Sequence, residues 1–544
     1  MANQDILTQR HPGAQDVSQY PASAALGRGE ASLPPTSTTA EPLMMGRRNG
    51  GPPDLSFDDC WQPSATHGLH PFPAKFPPPL ARWAIEQFTE PRQWLLDPFV
   101  GSGTTLVEAR LLGRNALAAE IDPLSRLLAR VKATSLDPTL VEAAKARLDQ
   151  MWDSDTLTTL QGQPPSMSDL PDFPNRDYWF HEHVQRDLVL LRDMIARIEE
   201  RAVREFLLVV YSSIIIAKGP SSVANALDIA HSRAHHLERR TPPNVWVRFC
   251  DRYRRALRGL REFYAQADHN VKTLVLGHDA KALPYRARLA DAILSSPPYI
   301  TAIEYPRSHK FSVWWIGDLM GVSNRVYEKL RSHYIGTENV PLRERVTLRA
   351  LPAGLPTLDR LAARLDEVDE VRAGRARRYF WDMRLALAEM LRTLKPERYA
   401  VLVVADSNLR GILVPTGACL LEIAESLEVD GARFVHRDTF IRTIRERSRQ
   451  MPIKRGSNGS GMKTEEVLIL QRRPARLFVS MGTRNSQDIT ADGSASTRRE
   501  QKPSRIQQPR RKAKASGGVL SINQTELDGG RVNRDEQWSS HVRK

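Results

Sequence analysis

Seven apolar runs punctuate the middle of the chain. They are "QWLLDPF" (Gln93–Phe99), "NALAAEID" (Asn115–Asp122), "KTLVLGHD" (Lys272–Asp279), "DAILSS" (Asp291–Ser296), "YAVLVVADS" (Tyr399–Ser407), "RFVHRDTF" (Arg433–Phe440) and "EEVLILQR" (Glu465–Arg472). The run at 290–295 is apolar almost throughout, as in a parallel strand covered on both faces. Helical stretches alternate with these runs, so the pattern predicts an α/β fold on a mostly parallel sheet. The interval 132–270 is far longer than a crossover needs and reads as a helical insert. Within it, "FLLVVYSSIIIA" (Phe206–Ala217) predicts a buried helix, being too short to span a bilayer. A second interval, Gly317–Arg375, reads as charged and loop-rich. Residues 1–52, rich in Pro, Gly, Ser and Thr, and 474–544, rich in Ser, Gln and Arg, predict disorder. That leaves 53–131 and 271–473 as the two parts of one folded domain.

The fourth run ends in "SSPPY" (Ser295–Tyr299). A Pro-Pro step cannot continue a sheet interior, so the strand must stop there. The turn beyond it sits at a carboxyl end of the sheet, where open α/β folds bind ligands. Ser296 Oγ, the Pro297 carbonyl and the Tyr299 ring then offer two acceptors beside a flat apolar plate. That set suits a planar group carrying an amino substituent, such as a nucleobase; a plain turn with a packed tyrosine is the alternative.

The first run leads into "DPFVGSGTT" (Asp97–Thr105), a glycine-rich turn opening a helix. Gly101 and Gly103 let the backbone approach a ligand, and the helix amino end, with Thr104 and Thr105, faces it. No lysine comes after the glycines, which argues against a phosphate-gripping P-loop. About twenty residues on, Glu120 and Asp122 end the second strand, where a carboxylate can bind ribose hydroxyls. Asp279 ends the third, where it can accept from an adenine amino group.

In this order, "DPFVGSGTT", "AAEID", "GHDA" and "SSPPY" resemble the S-adenosylmethionine-dependent amino-methyltransferases of DNA. Upstream, "HPFPAKFPPPLARWAI" (His70–Ile85) resembles that family's segment beside the methionine half of the cofactor, and "EMLRTLKPERYAVLVVADS" resembles its fifth-strand region. The resemblance spans about Gly68 to Arg473, excluding most of the insert. It implies a Rossmann-like, seven-stranded class I methyltransferase sheet and S-adenosyl-L-methionine as cofactor. Asp97, Phe99, Gly101, Gly103, Thr104, Glu120, Asp122 and Asp279 would bind that cofactor, with Lys75 and Phe76 near its methionine end. Ser296, Pro297, Pro298 and Tyr299 would form the catalytic tetrad, gripping a base flipped out of double-stranded DNA. A serine opening the tetrad goes mainly with cytosine N4 in that family, while Asp or Asn goes mainly with adenine N6. Serine at position 295, where threonine is usual, is a small departure. So is the order, with cofactor loop before tetrad, which leaves the target-reading region unassigned. Methylation of RNA, or an inert nucleic-acid binder on the same fold, are the rival readings. The resemblance also implies a cytoplasmic, bacterial-type protein, nucleoid-associated when on DNA, with a cognate restriction endonuclease as a possible partner.

Charge and remaining motifs modify this picture only slightly. The net charge is +15, but 14 Lys+Arg against 7 Asp+Glu fall in 474–544, so +7 of it lies in the tail. Such a tail adds salt-dependent phosphate affinity and no sequence reading. After the tetrad, "EYPRSHKF" offers Tyr305, Arg307, His309 and Lys310 as DNA contacts, against a solvated helix face. The basic loop Ile441–Gly461 offers phosphate contacts or simple solubility. Cys60, Cys250 and Cys419 form no CxxC pair and none sits directly after a proline, which argues against zinc, a disulfide framework and methylation at cytosine carbon 5. His231, His235 and His236 lack a third ligand of suitable spacing, so no metal site is expected.

Overall fold

The computed structural model describes residues 55–57, 64–73, 75–153, 170–226, 241–300, 305–337, 340, 354–444 and 464–475. Five strands run parallel: β1 (Trp94–Asp97), β2 (Asn115–Ala119), β3 (Thr273–Leu276), β4 (Ala290–Ser295) and β5 (Leu394–Val404). The strands β6 (Ser407–Leu409) and β7 (Ile412–Val414) form a separate hairpin. Beyond β5 the sheet continues antiparallel through β8 (Glu428–Val429), β9 (Ala432–Thr443) and β10 (Thr464–Pro474). The order across the sheet is β3-β2-β1-β4-β5-β10-β9-β8. This is the Rossmann-like, mostly parallel architecture, built from the seven expected strands plus the two-residue β8. Neither β8 nor the β6–β7 hairpin is long enough to show a period in the sequence.

The helices, in chain order, are α1 (Pro78–Phe88), α2 (Thr104–Leu111), α3 (Pro123–Ala133), α4 (Pro138–Trp152), α5 (Arg176–Trp179), α6 (Glu182–Ala196), α7 (Arg201–Ile215), α8 (Val245–Gln266), α9 (Tyr305–Ile316), α10 (Asn324–Leu330), α11 (Pro356–Val368), α12 (Glu370–Thr393) and α13 (Thr416–Ser426). Local chemistry starts several of them. Asp122 caps α3 by accepting from Ser125 N–H at 2.7 Å, with Pro123 in the first turn; Asp137 and Pro138 do the same for α4, through Thr139. The interval Gly317–Arg375, expected to be loop, contains α10, α11 and the start of α12. Most of its described charges on these helices, such as Arg325, Glu328, Arg364 and Glu367, are exposed, which masked the helical periodicity.

Helices cover both faces of the sheet. On one, Leu95, Ala118, Leu294 and Val403 meet Leu80, Ile85 and Leu106 of α1 and α2. On the other, Leu96, Leu117, Ile293 and Leu402 meet Phe380, Leu387 and Leu420 of α12 and α13. Alternate residues of one strand thus enter different cores, which is why these strands read as unbroken apolar runs. A third cluster packs α4, α6, α7 and α8 against Leu124 and Leu128 of α3 and Phe311 and Trp315 of α9. Every residue from Phe206 to Ile215 in α7 is buried, as its apolar run requires. Trp179, Phe180 and Trp315 are likewise core. No helix among the described residues is long and apolar enough to cross a membrane.

Gly103 illustrates how tightly the first loop is set. Its φ is +88°, and a Cβ there would lie 2.7 Å from Ala129 Cα of α3. Gly103→Ala combines a left-handed backbone penalty of about 1–2 kcal/mol with overpacking of roughly 1–3 kcal/mol. The expected outcome is a clearly lowered thermal midpoint, read by differential scanning calorimetry.

Candidate functional site

The carboxyl ends of β1 and β4 lie side by side where the strand order reverses, the position at which open α/β sheets hold ligands. A cleft of about 930 Å³, including its open mouth, occupies that position. The turns that border it are cross-linked underneath. Ser295 Oγ donates to Asp97 Oδ1 at 2.6 Å, and Phe99 N–H donates to the same oxygen at 3.1 Å. Burial pushes the Asp97 carboxyl up to about 6, with the bonds from Ser295 and Phe99 opposing that rise.

Glu120 and Asp279 both line the cleft. The Glu120 carboxylate accepts from Gly101 N–H at 2.9 Å and Asp122 N–H at 2.8 Å. Burial, reinforced by neighbouring Asp122, pushes it up to about 8. Asp279 accepts from Lys281 N–H at 2.9 Å and pairs with the Lys281 ammonium at 3.0 Å. Phe72, Phe99 and Ile121 supply apolar walls.

Asp122 also borders the cleft, but its carboxylate is fully engaged. Oδ1 takes Ser125 N–H and His309 Nδ1 at 3.0 Å; Oδ2 takes the hydroxyls of Tyr334 at 2.7 Å and Tyr327 at 3.4 Å. Burial alone would raise its pKa, yet His309 and these bonds hold it down at about 2. Asp122 is therefore a hub joining α3, α9 and the segment after α10, with no lone pair directed at a ligand.

Other expected residues fall in different places. Gly103 and Thr104 are buried at the start of α2, behind the loop, while Gly101 and Phe99 reach the cleft. In the "HPFPAKF" segment it is Phe72 that lines the cleft, not Lys75 or Phe76. The Lys75 ammonium donates to the carbonyls of His67 at 3.2 Å and His70 at 2.9 Å, and burial together with Arg252 lowers it to about 8. Phe76 packs against the core under α1. Of the residues expected to touch DNA, His309 is the clear correction. It is 1% exposed, against Asp122 and the Phe72 ring at 5.2 Å, and so braces the cleft from below. Tyr305 lines the cleft beside Phe72, Arg307 is exposed, and the Lys310 ammonium lies over the Phe311 and Trp314 rings.

In the tetrad, Ser296 and Pro298 line the cleft and Pro297 is buried. Ser296 Oγ donates to the Val403 carbonyl at 3.2 Å. The Tyr299 hydroxyl donates to Glu465 Oε1 at 2.8 Å, and Glu465 is held in turn by Arg442 at 2.6 Å. Burial, with Glu465 adding to it, raises the Tyr299 phenol well above its ordinary value. Phe72, Glu465 and Tyr334 were not singled out from sequence; only Phe72, inside the quoted segment, carried a signal. His231, His235, His236, residues 445–461 of the basic loop, residues 1–52 and residues 476–544 lie outside the described residues. Among the described residues no group of three or more His, Cys, Asp or Glu could hold a metal.

A sequence profile for the family described as DNA methylase matches residues 36–126, which include the cofactor loop and the Glu120 strand end. Over 434 residues the chain is 27% identical to the type II methyltransferase M.MvaI of Kocuria varians, covering 76% of this chain and 93% of that protein. These matches support the DNA amino-methyltransferase family for this chain. Over 87 residues the methyltransferase is 37% identical to M.MjaII of Methanocaldococcus jannaschii, covering 15% of this chain and 16% of that protein. It is 21% identical over 374 residues to M.BsoBI of Geobacillus stearothermophilus, covering 61% and 72%. Among solved structures, an rRNA methyltransferase from Streptomyces viridochromogenes covers 74% of this chain and 88% of its own at 12% identity, with a TM-score of 0.26, too loose to carry weight.

The methyltransferase depends on S-adenosylmethionine. The donor set of the cleft fits this cofactor: two carboxylates, Glu120 and Asp279, for the hydroxyls and amino group of an adenosine, and aromatic walls at Phe72 and Tyr305 that suit a sulfonium. When bound, the cofactor supplies a methyl group on positively charged sulfur.

The raised Glu120 pKa gives the methyltransferase a pH signature. Were Glu120 to accept from the ribose hydroxyls, as the resemblance implies, its ionised form would be favoured and binding would release the proton held below pH 8. Cofactor affinity is expected to rise by up to about tenfold per pH unit towards pH 8 and to level off above it. Calorimetric titrations between pH 6.5 and 9 would show this, and Glu120→Gln is expected to bind more weakly with the pH dependence removed.

Proposed function

We propose that the methyltransferase modifies the exocyclic N4 amino group of cytosine at a specific site in double-stranded DNA, as the modification partner of a cognate restriction endonuclease. The observation that carries the reading is Ser296. Its Oγ borders the cleft, 3.2 Å from the Val403 carbonyl to which it donates, and the same oxygen can accept from a group in the cleft. An amino nitrogen conjugated with a base ring is a poor nucleophile because its lone pair is delocalised. Accepting its protons at Ser296 Oγ and the Pro297 carbonyl favours a pyramidal nitrogen with the lone pair free. Alignment of the reactants supplies up to about 7–11 kcal/mol in favourable cases. Serine rather than Asp or Asn as the first tetrad residue supports cytosine, through the family resemblance. The type II names of the relatives support a restriction-modification setting.

The remaining roles accord with the same reading. Tyr299 stacks on the flipped base, with Glu465 and Arg442 fixing its hydroxyl, and offsets an unstacking cost of roughly a few kcal/mol. Glu120 takes the ribose and Asp279 the adenine. Arg307, exposed on α9, contacts the DNA backbone, and the insert 132–270 reads or clamps the target.

Expression in a host without its own DNA methylation, followed by mass spectrometry of digested nucleosides and single-molecule kinetic sequencing, tests the reading. A motif-restricted 4-methylcytosine signal is expected. A 6-methyladenine signal would overturn the cytosine assignment, and methylated RNA alone would overturn the DNA target. Tyr299→Ala is expected to keep cofactor binding and lose most turnover, measured by calorimetry beside a methyl-transfer assay.

A further inference from the structure

Five consecutive residues after α10, His333 to Thr337, line the cofactor cleft, although the sequence marks this stretch only as part of a charged interval. Each end of this short stretch is tied to a different part of the site. The Tyr334 hydroxyl donates to Asp122 Oδ2 at 2.7 Å, and Asp122 N–H donates to Glu120 Oε1. Tyr334 therefore reaches the ribose-side carboxylate through one intermediary residue. The His333 carbonyl accepts from the Lys281 ammonium at 3.1 Å, and that ammonium pairs with Asp279 at 3.0 Å. Ile335, 8% exposed, is anchored in the core beneath the sheet. Gly336 then turns with φ +80°, and a Cβ on it would lie 3.4 Å from the Tyr299 carbonyl oxygen. Thr337 N–H closes the turn on the Tyr334 carbonyl at 3.2 Å.

We infer that residues 333–337 form a strap along the cofactor cleft, that Tyr334 and Lys281 are the positioning residues holding it, and that it couples cofactor binding to the catalytic turn. The inference rests on the placement of the cofactor in this cleft, not on the identity of the target base. Both carboxylates expected to hold the adenosine are linked to the strap, so loosening either link changes the shape of the cofactor site. Gly336, near the far end of the strap, lies within one Cβ's contact distance of the Tyr299 carbonyl, so the same change reaches the residue beneath the flipped base. Asp122, His309 and Tyr334 thereby gain a role that the sequence did not suggest: together they fix a wall of the site.

The test uses equilibrium binding of S-adenosylmethionine to the full chain without DNA, so it is independent of which base is methylated. Loss of a hydrogen bond to a charged acceptor predicts that Tyr334→Phe raises the cofactor Kd by about tenfold or more. Tyr327→Phe is the control, because its hydroxyl approaches the same Asp122 oxygen at 3.4 Å but the residue does not line the cleft. It is expected to lower the thermal midpoint and leave the Kd unchanged. An unchanged Kd in Tyr334→Phe, or an equal rise in both variants, overturns the strap. Should Tyr334→Phe melt below the assay temperature, Lys281→Met carries the same expectation and the same overturning result. Gly336→Ala is expected to lower kcat at saturating cofactor; an unchanged kcat would remove the coupling to Tyr299. A wild-type product of 6-methyladenine would defeat the cytosine reading and leave the strap standing.

Discussion

The hydrogen bond from Ser295 Oγ to Asp97 Oδ1 is the contact on which the geometry of the site depends. Its partners end adjacent parallel strands, β4 and β1, and both are almost completely buried. One precedes the Ser-Pro-Pro-Tyr turn and the other precedes the glycine loop, so this single bond ties together the two turns that border the cleft. In a dry environment a hydrogen bond to a carboxyl is strong and its loss leaves a buried group unsatisfied. What the fold uses at 295 is the serine hydroxyl.

Two carboxyls two residues apart show how finely position decides chemistry. Glu120, with only backbone donors and a negative neighbour, is pushed up to about 8. Asp122, surrounded by His309, two tyrosine hydroxyls and a helix N-terminus, is held at about 2. The first keeps its capacity to exchange partners; the second is a fixed charge that organises its surroundings. Sequence alone reads both as acids at the end of a strand.

The features legible in the sequence were those that local covalent constraints dictate. Prolines end β4 at the tetrad, positive-φ glycines shape the loop before α2, and the unbroken apolar runs announce strands buried on both faces. These defined the sheet and the floor of the cleft. Contacts between distant segments left no such trace. Tyr334 meets Asp122 across 212 positions and Tyr299 meets Glu465 across 166, and neither pairing can be read from any spacing. The "EYPRSHKF" stretch misled for a related reason: His309 and Arg307 are two residues apart on a helix, and only the tertiary packing of Phe72 and Asp122 decides that one is buried and the other exposed.

The helices of the long interval share one core with α3 and α9. His70 beside the cleft, Ser212 of α7 and Ser312 of α9 are also joined by consecutive buried hydrogen bonds of 2.8 Å. The insert is consequently not a detachable cassette. Grafting it onto a relative, or replacing it to obtain a new target site, would expose the flank of the helix that comes after the catalytic turn. Changes that leave the fold intact are therefore confined to the insert's outer surface, its inner surface being part of the same core as α3 and α9.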